Sequence, residues 1–301
     1  MSLIWIPLTI TAAFLQNLRM MLQKQLKNKL GTTGATFVRF GYGFPIALLY
    51  LLGLTIFTDL SVPRINLQFL LIVTSGGLAQ IIGTALLVSL FDKRNFAVGT
   101  TYSKTETVQA AVFGIIFLGD AISFFAAIGI LVSLVGVILI SVARNPLGLR
   151  AIFTSWTEKP ALIGLASGAS FGIAAVSFRG ASLSLGGSGF IMQASVTLAF
   201  ALVFQTIVMA TYMLIKEPTE LINCLKAWRI AMWVGLCGAL ASIGWFTAMT
   251  IQQAALVRAL GQLELVFTIT TSTLIFKEKI SRIELLGMSI VVLGIIILLL
   301  R

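Results

Sequence analysis

The stretch FLGDAISFFAAIGILVSLVGVILIS, residues 117–141, has a counterpart 158 positions later, IFKEKISRIELLGMSIVVLGIIILL, residues 275–299. Asp120 aligns with Glu278, Gly129 with Gly287 and Gly136 with Gly294. Upstream of the quoted segments, Glu106 aligns with Glu264 by the same offset. Gly83 in QIIGTALL aligns with Gly244 in SIGWFTAM at an offset of 161, so the second copy is three residues shorter in the region that matches FDKRN. Both quoted segments carry an apolar run of membrane-spanning length. The chain therefore reads as two like halves, each ending in the same kind of helix.

Working outward, apolar runs recur along the whole length. The 301 residues are 58% hydrophobic and 10% charged, with mean hydropathy +1.03. A soluble domain carries about 25% charged residues, so this chain lacks the polar surface to face water. A transmembrane barrel would show short alternating segments instead of long uniform ones. The fold class is an all-α integral membrane protein. Ten spans are expected, near 3–23, 34–57, 67–90, 96–118, 122–142, 161–183, 188–215, 230–251, 254–276 and 283–300. The first, from Leu3, lacks a basic leader and a small-residue cleavage site, so it is expected to remain as a helix. The longest polar connection, ARNPLGLRAIFTSWTEKP, follows span five and is expected to hold a short interfacial helix with Trp156 at the headgroups. It separates a first repeat, 1–145, from a second, 161–301, with 146–160 as linker. Five helices per half make the second copy enter from the opposite side, giving two inverted five-helix repeats.

Several function classes fall away. There is no histidine, and Cys224 and Cys237 show no metal-ligand spacing, so no metal site or cofactor is expected. No G-x-x-x-x-G-K-[ST] loop is present for ATP. The net charge of +11 comes mostly from basic residues between apolar runs, which suits anionic lipid rather than nucleic acid.

Some polar residues lie deep inside the spans. Glu106, in YSKTETVQ, falls about ten residues into span four, or roughly 15 Å, which is near the bilayer midplane. Glu264, in GQLELVF, is equally deep in span nine. Ionisable residues at that depth are costly and mark pathways or sites. The two acids are candidates for gripping a cationic group or carrying protons, the alternative being that each pairs with a neighbouring base. By helical geometry Tyr102, Ser103 and Gln109 share the face of Glu106. Lys104 points elsewhere, toward Asp92, a helix-end carbonyl or the interface. Arg258 reads equally as an interfacial anchor or a cavity cation. Gln16 and Asn17 on span one are expected to hydrogen-bond between helices or line a cavity. Arg19, with Lys104 and Arg258, is a candidate gate or anion contact, and Arg39 an anchor. Gln80 and Trp245 are cavity candidates by repeat position. Glycines at seven-residue spacing in spans five and ten, and Gly164, Gly168 and Gly172 in span six, are expected to let helices pack closely.

Two repeats that each end in an acid, a turn and a Gly-seven-Gly helix resemble the EamA-type branch of the drug/metabolite transporter superfamily. FVRFGYGFPIALLYLL is similar to that family's Arg-containing second helix. The resemblance implies a secondary carrier with a central cavity lined by helices 1, 3, 4, 6, 8 and 9, where Gln16, Gln80, Glu106, Phe171, Trp245 and Glu264 would fall. Family members commonly carry a proline just after the positions of Glu106 and Glu264. Here Thr107 and Leu265 stand there, so no proline forces a kink.

Connections 1–2, 3–4, 5–6, 7–8 and 9–10 hold fourteen Lys and Arg residues, whereas the opposite side holds Arg64 and Arg301. The positive-inside rule then puts both termini outside the cytoplasm, the reverse of what the resemblance implies. The leading functional reading is a secondary-active carrier in the cell membrane. It would move an amino acid or related zwitterion or amine by alternating access, with protons as the coupling partner. The deep basic residues leave an anionic metabolite as second reading. A channel would need a continuous polar stripe on several helices. An intramembrane enzyme would need a nucleophile–base pair, and none stands out. The expected partners are a small-molecule substrate, protons and lipid, with the chain as monomer or homodimer.

Overall fold

A computed structural model describes residues 3–26, 29–90, 101–143, 157–187, 189–276 and 280–300, and the described residues are all helix, turn or coil. Span four's first residues, Asp92 and the connection containing Trp156 lie outside them. In chain order the helices are α1 Trp5–Leu26, α2 Thr32–Gly41, α3 Phe44–Phe57, α4 Leu67–Leu90, α5 Glu106–Leu118, α6 Phe124–Ala143, α7 Lys159–Ser184, α8 Phe190–Lys216, α9 Pro218–Lys226, α10 Trp228–Ile251, α11 Ala254–Gly261, α12 Leu263–Phe276 and α13 Arg282–Leu299. Among the described residues, seven stretches are long and apolar enough to cross a membrane: α2 with α3, α4, α6, α7, α8, α10 and α13.

The remaining expected spans coincide with helical segments of a different character. α1 carries Arg19, Gln16, Asn17 and Gln23. Spans four and nine are expected as single helices, and the structure corrects both. Residues 101–103 are helical, a turn occupies Lys104 and Thr105, and α5 begins at Glu106. In the second copy, α11 stops at Gly261, Gln262 is a turn, and α12 begins at Leu263. Span two is interrupted too, at Tyr42 and Gly43, with Pro45 at the start of α3, where its missing N–H costs nothing. The connection after span seven, expected as a loop, is α9, a short helix opened by Pro218.

The chain forms two compact units, and each draws on both sequence repeats. The first comprises 1–81 and 177–252, and the second 82–176 and 253–301. In the first unit α10 lies along α1. A Cβ on Gly244 would fall 2.9 Å from the Ala12 Cβ and 3.0 Å from the Leu8 carbonyl oxygen, so only glycine permits that approach. The Phe178 and Phe246 rings stack 4.5 Å apart beside it. Arg179 donates to the carbonyls of Met249 (2.7 Å) and Gln252 (2.6 Å), the free acceptors at the end of α10. α9 closes on α2: the Gly31 N–H donates to the Glu220 carboxylate, and the Tyr42 hydroxyl donates to the Cys224 carbonyl at 3.0 Å. Burial pushes the Cys224 thiol up to about 12, with the Glu220 carboxylate adding to the shift, which keeps it in the thiol form.

In the second unit α6 lies along α13. A Cβ on Gly136 would meet the Val291 nitrogen at 2.6 Å and the Gly287 oxygen at 2.7 Å. One on Gly129 would meet the Gly294 oxygen at 2.6 Å. The four repeat-matched glycines thus bring two backbones into direct contact. Both helices start on a serine at the same repeat position. The Ala126 N–H donates to Ser123 Oγ (3.2 Å), and Ser281 forms a reciprocal capping box with Glu284. α5 ends on Gly119, left-handed at φ 65°, with the Asp120 N–H returning to the Gly114 carbonyl at 3.1 Å.

Candidate functional site

The two interruptions that carry the glutamates are built alike. Thr105 (φ −66°, ψ −7°) and Gln262 (φ −61°, ψ −13°) have the ψ of a tightened turn rather than of an α-helix. The backbone switches to i→i−3 bonding: Lys104 N–H to Thr101 (3.1 Å), Thr105 N–H to Tyr102 (3.1 Å) and Gln262 N–H to Ala259 (3.1 Å). No proline causes this. In the first copy the Thr105 hydroxyl also donates to the Tyr102 carbonyl at 2.6 Å, competing with helical bonding. In the second, Gly261, a weak helix former, directly precedes the break. Lys104 and Gln262 are themselves related by the 158-residue offset, so the breaks are equivalent positions of the repeat.

Each break starts a new helix and frees its first N–H groups at the positive end of the helix dipole. Glu106 is the first residue of α5 and Glu264 the second of α12, so each carboxylate sits where the local field favours it. Each is then bound by a cation from the other repeat. Arg258 Nε lies 2.9 Å from Glu106 Oε1, and the Lys104 ammonium contacts Glu264 Oε1. The four side chains are largely buried, from 10% exposed for Glu264 to 22% for Lys104. Lys104, expected at Asp92, a helix-end carbonyl or the interface, is paired with Glu264, and Arg258, expected as an anchor or a cavity cation, with Glu106; Asp92 lies outside the described residues. Both expectations treated the helices as continuous and searched for local partners, whereas the true partners are 160 and 152 residues away. Tyr102 and Ser103, expected on the face of Glu106, lie across the break from it.

Polar side chains surround the first break. Gln109 Nε2 donates to Thr105 Oγ1 (2.8 Å), and Gln262 Nε2 donates to Thr107 Oγ1 (2.8 Å). α7 covers the turn through its small residues. A Cβ on Gly168 would fall 2.9 Å from the Ser103 oxygen and 3.3 Å from the Glu106 nitrogen, and one on Gly172 3.1 Å from the Ala110 nitrogen. Phe171, on the same helix, packs against Gly83, and Ser167 donates to the Gly83 carbonyl at 2.9 Å.

Of the residues singled out from sequence, the second unit contains Tyr102, Lys104, Glu106, Gln109, Phe171, Arg258 and Glu264, and it brings the four charges into two ion pairs. The first unit contains Gln16, Asn17, Arg19, Gln80 and Trp245. There Arg19 donates to Gln23 Oε1 (3.2 Å), which in turn donates to the Ala35 carbonyl (2.6 Å). Gln80 Oε1 accepts from Gln205 (2.9 Å), a fully buried residue that sequence reasoning missed. Gln262 was missed as well. Its signal was its position, equivalent to that of Lys104. Among the described residues no group of His, Cys, Asp and Glu could hold a metal ion.

Paired spans, matched glycines and matched breaks in both halves are a family pattern, and the EamA-like transporter family matches the chain twice, at residues 3–142 and 159–300. The chain belongs to the EamA-like transporter family. It is a multi-pass integral membrane protein and a transporter of the drug/metabolite type, whose partners are a small-molecule substrate and membrane lipid. This family transports rather than catalyses. One solved crystal structure aligns at 16% identity over 98% of this chain and 96% of that chain, with a TM-score of 0.74, which establishes the shared fold. No curated protein matches the sequence.

Proposed function

We propose that this EamA-like transporter is a secondary-active carrier of a small zwitterion or amine, an amino acid or a close relative, coupled to protons. The observation that supports this reading most directly is the pair of crossed ion pairs at the repeat-matched breaks. Apart from Lys159, Arg282 and Glu284 at helix ends, the described helices and breaks of the second unit carry four charges, Lys104, Glu106, Arg258 and Glu264. These sum to zero. Inserting a lone anion or cation into such a cluster leaves a net charge in a poorly solvated place, which is expensive. A zwitterion leaves the sum at zero. Its ammonium can take over a glutamate while its carboxylate takes over the released cation. A net cation leaves the total charge unchanged when a protonated glutamate releases its proton as the cation binds, which is the route to proton coupling. The anionic reading weakens because both cations and both helix starts already hold carboxylates.

In this proposal α1, the broken helix around Lys104 and Thr105, and α11 with α12 cross the membrane alongside the seven longer stretches, making ten spans. The charge bias of the connections supports both termini outside the cytoplasm. Alternating access here does not separate the two sequence repeats. The α6–α13 contact ties the last helix of one repeat to the last helix of the other, backbone against backbone.

The test is proton release or uptake on adding amino acids, amines and organic acids to purified protein, repeated with Glu106→Gln and Glu264→Gln. A ligand whose binding moves protons only when both acids are intact supports the reading. Unchanged ligand binding in both variants reduces the four charges to structural pairs and rejects it.

A further inference from the structure

Two glutamine amides are held on the threonines that stand next to Glu106 in sequence. Each is anchored by its nitrogen to a threonine hydroxyl, Gln109 to Thr105 and Gln262 to Thr107. The Thr105 proton is already committed to the Tyr102 carbonyl. Only a lone pair of that oxygen faces Gln109, so the amide must present its N–H₂ there and turn its oxygen away. Both amide oxygens, Gln109 Oε1 and Gln262 Oε1, are buried with no hydrogen-bond partner among the described residues. Gln262 is only 8% exposed as a residue. Buried acceptors are almost always satisfied, and two orphaned ones held by Thr105 and Thr107 are unusual in a chain that must tolerate low dielectric.

We propose that Gln109 and Gln262 are specificity-determining residues whose free amide oxygens accept hydrogen bonds from the ammonium group of the substrate. The proposal rests on the carrier reading above and deepens it. Glu264 and Glu106 supply charge, which any cation satisfies. The two amide oxygens supply directional acceptors, which only N–H donors satisfy. A primary ammonium has three donors, one for a carboxylate and two for the amides. A quaternary ammonium has the same charge and none. The site therefore selects primary amines over their N-methylated forms, and it does so through residues that carry no charge themselves.

Ligand affinity is measured by titration calorimetry on the purified full chain in detergent. The probes are glycine, L-alanine, L-lysine and putrescine, with the N-methyl, N,N-dimethyl and fully N-methylated derivatives of each. Wild type is expected to weaken by roughly tenfold or more from the primary to the fully methylated form, the loss that follows from removing charged hydrogen bonds. Gln109→Met/Gln262→Met, which keeps side-chain shape and removes the acceptors, is expected to bind the whole series within about threefold. Gln262→Glu, which keeps an acceptor, is expected to retain the preference. A double variant that discriminates as sharply as wild type overturns the proposal, because water or steric fit then explains the preference, and the carrier reading survives. A wild type that binds primary and methylated forms alike overturns it in the same way, and this arm needs no variant to fold. A wild type that binds none of the probes rejects the substrate class of the carrier reading and the proposal together.

Discussion

Within the second unit, two sets of repeat-related helices are built on opposite principles. Beyond the first turn of α13, α6 and α13 carry no charge, and they meet backbone to backbone through Gly129, Gly136, Gly287 and Gly294. α5 and the α11–α12 pair are interrupted, and they place Glu106, Lys104, Arg258 and Glu264 at or beside the interruptions. The first pair has no room to change, because backbone meets backbone at all four glycines. The second holds four charges whose partners can be exchanged. A site works best when exchangeable contacts sit on a support that does not move, and here the same internal repeat supplies both.

The sharpest way to break this comparison is to put a side chain into the lock. Gly136→Leu would drive atoms into the Val291 nitrogen and Gly287 oxygen, which are backbone and cannot rotate away. Overpacking costs about 1–3 kcal/mol where side chains can give, and more where they cannot. Loss of roughly 3 kcal/mol or more is expected, seen as a collapsed thermal transition of the detergent-solubilised protein. A variant with wild-type melting would mean that the lock is not a fixed support.

Breaking one ion pair is expected to cost less and to be reversible by design. Glu264→Gln leaves the Lys104 ammonium largely buried without its carboxylate, a loss of about 2 kcal/mol at this partial exposure. Adding Lys104→Met removes the orphaned charge, so the double variant should regain most of that stability while remaining unable to bind ligand. Recovery of ligand binding along with stability would show the pair to be structural, and the contrast between lock and site would fail.

How much of this was legible beforehand follows the range of each interaction. The seven long apolar stretches and the repeat could be read because hydropathy and glycine spacing are local. Gly129 and Gly136 share a helix face by arithmetic alone. The breaks were not legible in the same way. The usual signal is proline, and Thr107 and Leu265 occupy its place. Thr105 breaks one helix through a hydroxyl bond to Tyr102, and in the other Gly261 merely precedes the turn at Gln262. Once the helices are treated as continuous, face arithmetic sends Lys104 away from Glu106 and toward local partners. Its true partner, Glu264, belongs to the other repeat. Gln205, which binds Gln80 from 125 residues away, was invisible for the same reason.

A smaller test concerns what keeps the first break open. Thr105→Val removes the hydroxyl that donates to Tyr102 and accepts from Gln109. A loss near 1 kcal/mol is expected from the hydrogen bonds. Amide hydrogen exchange at residues 102–106 should slow if the segment relaxes toward a regular helix. Unchanged exchange would mean that the threonine only decorates a break imposed from elsewhere.

The smallest effect is the control for all the glycine arguments. Gly53 sits inside α3, and a Cβ there would meet nothing within 4 Å. If glycine matters in this chain because of close approach, Gly53→Ala should be tolerated. It should also raise stability by about 0.5–1 kcal/mol, because alanine loses less backbone entropy in a helix than glycine does. A destabilised Gly53→Ala would mean that glycine serves this chain through helix flexibility, and the contrast between Gly136 and the rest would then be one of degree. A stabilised one isolates contact as the reason that α6 and α13 are rigid, and leaves the breaks at Thr105 and Gln262 as the places where this transporter keeps its freedom.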